Sequence, residues 1–147
     1  IRLAGVKHRL AITDTRLFAA QVGAVRGRPL TRWSQAGGEL ARERGLDALH
    51  LDPDGLAEFA GIEFVAAEID CSTEALGVLK SKLRRYAEAA RSGLLHGLWL
   101  VLLGGTERCE NIRSLIVEAG LSGWAIVISH EQVLARPVIE PDKLFVT

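Results

Sequence analysis

The sequence predicts an α/β fold in which a mixed central sheet is flanked by helices. Three observations predict it. Two continuous apolar runs, "LWLVLLGG" (98–105) and "WAIVIS" (124–129), have the composition of strands buried on both faces, as parallel strands covered by helices are. Each follows a segment with apolar residues at helical spacing, so helix and strand alternate as in crossover units. Upstream, Pro53-Asp54-Gly55 is turn chemistry between apolar segments, which implies antiparallel pairing before the crossovers begin.

Taken in order, residues 8–24 carry Leu10, Leu17, Phe18, Gln21 and Val22, with Thr13 and Asp14 as possible starters, a pattern that suits a helix better than a strand and is ended by Gly27 and Pro29. "LTRW" (30–33) is a short strand, and "GGELARERG" (37–45) a short helix or loop. "DALHLDPDGLAEF" (47–59) is expected to form two short strands, or one bent strand, around the turn. "IEFVAAEID" (62–70) is the next strand. Ser72 or Thr73 is the expected cap of a helix whose stripe is Leu76, Leu79, Leu83, Tyr86 and Ala90 and which stops near Gly93. After the first apolar run, Thr106 should cap a helix bearing Ile112, Leu115, Ile116 and Ala119, ended by Gly120. The second run leads into "HEQVLAR" (130–136), a short helix, and an edge-like or irregular tail, "PVIEPDKLFVT".

A chain of 147 residues suits a single domain spanning 1–147. Hydrophobic content of 48% with 24% charged residues is globular, and no apolar stretch is long enough to cross a bilayer. Cys71 and Cys109 have no metal-type spacing, and no cleavable leader is recognisable, so a reduced, cytoplasmic setting is expected. The chain opens with Ile1 rather than Met, and an upstream domain is expected on that ground.

Net charge is zero, but its distribution is not even. Residues 1–32 hold seven Lys/Arg against Asp14 alone, residues 47–70 hold seven acids and no Lys/Arg, and residues 73–92 return to five bases against two acids. An acidic block between basic segments suits a cation site flanked by phosphate-binding surfaces; ordinary solvated faces are the alternative. Within the block, Glu68 and Asp70 are two apart on a strand and so share a face, while Asp54 lies on a turn that strand pairing brings near Glu68. Three converging carboxylates repel one another unless a cation lies between them. Mg²⁺ or Mn²⁺, hard ions that prefer oxygen ligands, would fill that role and lower the pKa of a bound water. A solvated hairpin is the plain alternative.

These residues also carry a family resemblance. "PDG" followed by "FVAAEIDCSTEALGVLKSKLRRY" resembles the nuclease-like domain of the replication-relaxation proteins of plasmids and integrated elements. That family is related to mobilisation relaxases and is similar in fold to the PD-(D/E)XK restriction endonucleases. "HRLAITDTRL" and the segment from Trp33 to Glu39 extend the likeness. The resemblance implies a restriction-endonuclease-like sheet and a metal-dependent DNA endonuclease or nickase in plasmid or mobile-element replication or transfer. It implies Asp54 and Glu68 as metal ligands, with Asp70, also acidic, standing where many such nucleases have lysine. The missing cation would come from Lys82, one turn before Tyr86, or from Lys80. Glu39 is a further acid, and His8 a further residue, to which the likeness draws attention. DNA is the implied partner, with base readout from an upstream winged-helix domain, and a homodimer is a further expectation. A degenerate nuclease fold kept for DNA binding or dimerisation is the rival reading, and an unrelated α/β domain the third.

Other chemistries lack their signatures. The four histidines form no HxH or HExxH pair, no G-x-S-x-G elbow surrounds any serine, and Gly104-Gly105-Thr106 lacks the P-loop lysine. Cys71 reads as a structural thiol, and Trp33, Trp99 and Trp124 as core. Arg84, Arg85 and Arg91, with Arg9 and Arg16, are the expected phosphate contacts.

Overall fold

A computed structural model of the chain describes residues 3–135. The expected irregular tail, 137–147, lies outside the described residues. The elements run α1 (Leu3–Arg26), β1 (Leu30–Gln35), α2 (Glu39–Glu43), a 3-10 turn (Leu46–Leu49), β2 (Gly55–Phe59), β3 (Glu63–Asp70), α3 (Leu76–Arg91), β4 (Gly97–Leu102), α4 (Thr106–Glu118), β5 (Ala125–Ser129) and α5 (His130–Ala135). The strands form one sheet in the order β1-β2-β3-β4-β5. β1, β2 and β3 are antiparallel neighbours, whereas β3, β4 and β5 are parallel. The chain is therefore of the α/β class with a mixed sheet, as the apolar runs and the turn predict.

Alternation along the strands builds two cores. Leu56, Phe64, Ala66, Leu98 and Leu100 face Leu79, Leu83 and Tyr86 of α3 and Ile112 and Ile116 of α4. Their neighbours Ala57, Val65, Ala67, Ile69, Trp99 and Val101 face Phe18, Ala19 and Val22 of α1 and Val133 of α5. β4 is buried along its whole length, which is why it reads as an unbroken apolar run, and β3 is equally buried although it carries Glu63, Glu68 and Asp70. The second apolar run, expected to be buried on both faces, is the edge strand β5 and is only partly covered. Truncating a core side chain such as Leu83 to Ala should cost about 2–5 kcal/mol.

Four local expectations are corrected. First, α1 presents Ala11, Ile12, Thr15, Phe18, Ala19 and Val22 to the sheet, while Leu10 and Leu17 are 58% and 46% exposed. Small side chains at 11 and 19 let the helix lie close to the strands, and the Thr15 hydroxyl is satisfied by donating to the Ala11 carbonyl at 2.7 Å. Second, the segment before the turn is not a strand. β1 ends at Gln35 opposite Gly55, so nothing upstream of Gly55 has a ladder partner, and the chain closes a 3-10 turn that buries Leu46.

Third, neither Ser72 nor Thr73 caps α3. The cap position is Ala75, without a side-chain hydrogen bond, because the intervening loop is held from outside by α4. Ser72 there adopts φ 63°, and a Cβ on Gly104 would meet its Oγ at 2.1 Å, so glycine permits the close approach of the two loops. Fourth, Gly105 rather than Thr106 is the cap position of α4.

Candidate functional site

β2 and β3 pair with Gly55 opposite Ala67, which brings the turn residue Asp54 alongside the end of β3. A Cβ on Gly55 would lie 2.4 Å from the Trp33 ring, so glycine is required for this strand start to sit under β1. Asp54 is then pinned. Its Oδ2 accepts the Ile69 backbone N–H at 2.8 Å, and its Oδ1 lies 3.3 Å from His8 Nε2, delivered by α1.

Glu68 points from β3 toward α3, the face opposite Ile69, and is only 8% exposed. The Tyr86 hydroxyl donates to its Oε1, and Lys82 Nζ lies 3.5 Å from its Oε2. Both partners come from one flank of α3, a turn apart, as their i, i+4 spacing predicts. Lys82 also donates to Glu74 at 3.1 Å. Burial pushes the Glu68 carboxyl up to about 7, and the nearby Asp54 adds to the shift, while Lys82 and the Tyr86 hydroxyl oppose it. Burial works to lower the Lys82 pKa, but Glu68 and Glu74 outweigh it, and the ammonium is raised. Burial and Glu68 together push the Tyr86 phenol far up, so it stays a donor.

Asp70 shares the Glu68 face, as the spacing predicts, and each of its oxygens accepts a hydrogen bond from one arginine. Arg108, in the first turns of α4, grips it at 3.0 Å and 2.8 Å and also donates to the Glu74 carbonyl at 2.8 Å. Such a two-pronged guanidinium–carboxylate pair is strong and directional. Arg108 thereby ties the loop after β3, with Glu74 on it, to the strand.

Asp54, Glu68, Asp70 and Lys82 all line one cavity of about 230 Å³, with His8, Asp52, Cys71 and Glu74 also on its wall. Among the described residues, no three His, Cys, Asp or Glu side chains are disposed as a ready metal cage. Lys80 points elsewhere and pairs with Glu118 at 2.6 Å, and Glu39 is exposed on α2, outside this wall. Cys71 keeps its proton, since burial and the charges of Asp70 and Asp54 push the thiol up. Two other acids of the 47–70 block belong to no site. Glu58 is held by Arg32, and Glu63 by Arg26 and Arg28. The basic N-terminal segment thus neutralises part of the acidic one.

A model of the replication-relaxation family matches residues 3–97, well over half of the chain. The chain belongs to the replication-relaxation family. No curated protein and no solved structure gives a match. The replication-relaxation segment takes in α1 through α3 and the start of β4, and hence His8, Asp54, Glu68, Asp70, Lys82 and Tyr86. Arg108 lies beyond it. Membership ties the chain to plasmid or mobile-element replication or transfer and to DNA as a partner. Among the described residues no helix is long and apolar enough to cross a membrane.

Glu74 and Asp52 on the cavity wall, and Arg108, which holds Asp70 and the Glu74 carbonyl, are the residues that sequence reasoning missed. For Arg108 a signal existed: Asp70 stands beside Leu102 in parallel register, and α4 begins four residues after Leu102. A basic residue early in that helix can therefore reach back over the end of β3.

Proposed function

We propose that this chain is the nuclease-like core of a metal-dependent DNA endonuclease or nickase acting in plasmid or mobile-element replication or transfer. One observation carries the reading: a buried Glu68 carboxylate, tied to a lysine and a tyrosine from one helix, shares a polar cavity with Asp54.

The donor set fits a hard divalent ion at two of the three expected carboxylates. Asp54 and Glu68 supply oxygen donors at the cavity wall, and the charge cost of ionising Glu68 there is what a cation relieves. Asp70 is the weaker donor of the three, because the two-pronged Arg108 guanidinium already balances its charge. Bound there, Mg²⁺ or Mn²⁺ would lower the pKa of a water and offset charge developing on a phosphate. The chain's own residues do the rest. Lys82 presents a cation to a phosphodiester oxygen, Tyr86 holds the Glu68 carboxylate in one orientation, and the Ile69 N–H does the same for Asp54.

The second reading, a degenerate nuclease fold kept for DNA binding, is favoured by the acid at position 70 and its Arg108 clamp. The two are separated by incubating the purified chain with supercoiled and with single-stranded DNA, with Mg²⁺ or Mn²⁺, beside Asp54→Ala. Metal-dependent cutting that the variant loses supports the enzyme. DNA binding without cutting selects the degenerate module, and neither binding nor cutting removes both.

A further inference from the structure

α1 is used on one side only. Ala11, Thr15, Phe18 and Val22 face the sheet, yet on the other side Val6, Leu10, Thr13, Leu17, Ala20 and Ala24 follow one another at spacings of 4, 3, 4, 3 and 4. All but the half-buried Val6 are exposed. The Thr13 hydroxyl is turned back to donate to the Arg9 carbonyl at 3.3 Å. A strict 3-4 alternation is the seam of a two-helix coiled coil, and here it continues for about 27 Å at 1.5 Å per residue. An ordinary surface helix packed on a sheet has no need of it.

We propose that this seam pairs with α1 of a second copy of the chain, parallel and in register. With Leu10, Leu17 and Ala24 at the first apolar position of each heptad, Arg9 and Arg16 fall on one flank and Lys7, Asp14 and Gln21 on the other. A parallel pair sets each residue of the first flank against the partner residue five positions on. Arg9 then meets Asp14 across the two-fold, and Arg16 meets Gln21. The antiparallel alternative faces Arg9 with Arg16, two like charges. A two-fold axis also brings each seam residue to its own counterpart, so that the apolar stripe needs no other complement. Asp14 remains partly exposed while lying 3.0 Å from His130 of α5. Arg9 and Arg16, expected from sequence to contact phosphates, become the rim of the interface. Leu and small residues in alternation make the contact close but modest, a concentration-dependent equilibrium.

Sedimentation velocity of the purified chain across the micromolar range tests this. A reversible dimer is expected, lost in Leu10→Glu/Leu17→Glu, whose circular dichroism and melting should match the parent because both side chains are exposed. Arg9→Glu, a surface change with no bearing on folding, should weaken the dimer by roughly two- to tenfold. Orientation is read from Thr13→Cys in a Cys71→Ser/Cys109→Ser background, which oxidises to a linked dimer only if Thr13 faces itself. A chain that stays monomeric at every concentration overturns the proposal and leaves the seam to a different polypeptide. A dimer that survives the double glutamate variant, or one that Thr13→Cys does not cross-link, overturns it equally.

Discussion

The Tyr86 hydroxyl donates to the buried Glu68 carboxylate, linking the middle of α3 to the strand end that carries the candidate site. Removing that donor leaves a buried acceptor unsatisfied. Tyr86→Phe should therefore cost about 1–3 kcal/mol in urea denaturation. In the Glu68→Leu background the same change should cost clearly less, since no carboxylate remains to be orphaned. Equal losses in both backgrounds would show that the hydrogen bond contributes nothing.

Glu68 also makes stability depend on pH. Its carboxyl is raised in the folded chain from 4.5 to about 7, so the native state binds a proton that the unfolded state has already released. The resulting contribution is complete below the unfolded value and is lost as pH rises through about 7. At 1.36 kcal/mol per unit it amounts to about 3 kcal/mol. Glu68→Gln should flatten the stability profile between about pH 4.5 and 7, and an unchanged slope in that variant would refute the assignment.

Arg108 and Asp70 form a pair with little exposure on either side. Arg108→Ala leaves a buried carboxylate without its cation and should cost about 3–5 kcal/mol. Asp70→Asn/Arg108→Met, which removes both charges, should recover much of that loss. If the double variant is as unstable as the single one, packing rather than charge explains the clamp.

Gly55 admits the Trp33 ring, and the added methyl of Gly55→Ala would meet it at 2.4 Å. The overlap must shift a strand or the indole, at about 1–3 kcal/mol. Because Asp54 is the adjacent residue, any Mn²⁺-dependent DNA cutting should fall further than stability does. Trp33→Phe, which shortens the ring, should partly restore both.

For the two lysines of α3, the proposed chemistry makes opposite forecasts. Lys82→Ala should slow metal-dependent cutting on the order of 10²-fold, the usual loss on removing one charge-stabilising donor. Lys80→Ala should leave cutting unchanged, since Lys80 is occupied by Glu118 on the surface. Equal effects from both would argue for general electrostatic attraction to DNA.

Much of the fold is legible in the chain because its signals are local. Leu98 to Leu102 read as a doubly buried strand, and the stripe Leu79, Leu83, Tyr86 as a helix face, since each depends only on spacing. The same holds for Glu68 and Asp70 sharing a face and for Lys82 lying one turn before Tyr86. Where several faces compete, spacing loses its grip: α1 carries apolar residues on two sides, and the sequence groups Leu10 and Leu17 with Phe18 and Val22, of which the sheet takes only the last two. Ser72 looked like a cap, but the pull of Arg108 on the Glu74 carbonyl begins the helix later.

The sequence by itself determined the order of the elements, the mixed sheet, and which acids could gather at one strand end, because periodicity and turn chemistry act between near neighbours. Only the tertiary structure decided which acids are engaged. Asp70 goes to Arg108, Glu63 to Arg28 and Arg26, Glu58 to Arg32, and Glu68 stays buried beside Lys82 and Tyr86. Charge pairing acts through space, and its partners here stand 14 to 38 positions apart in the chain; no local pattern can tell a neutralised carboxylate from one left facing a cavity.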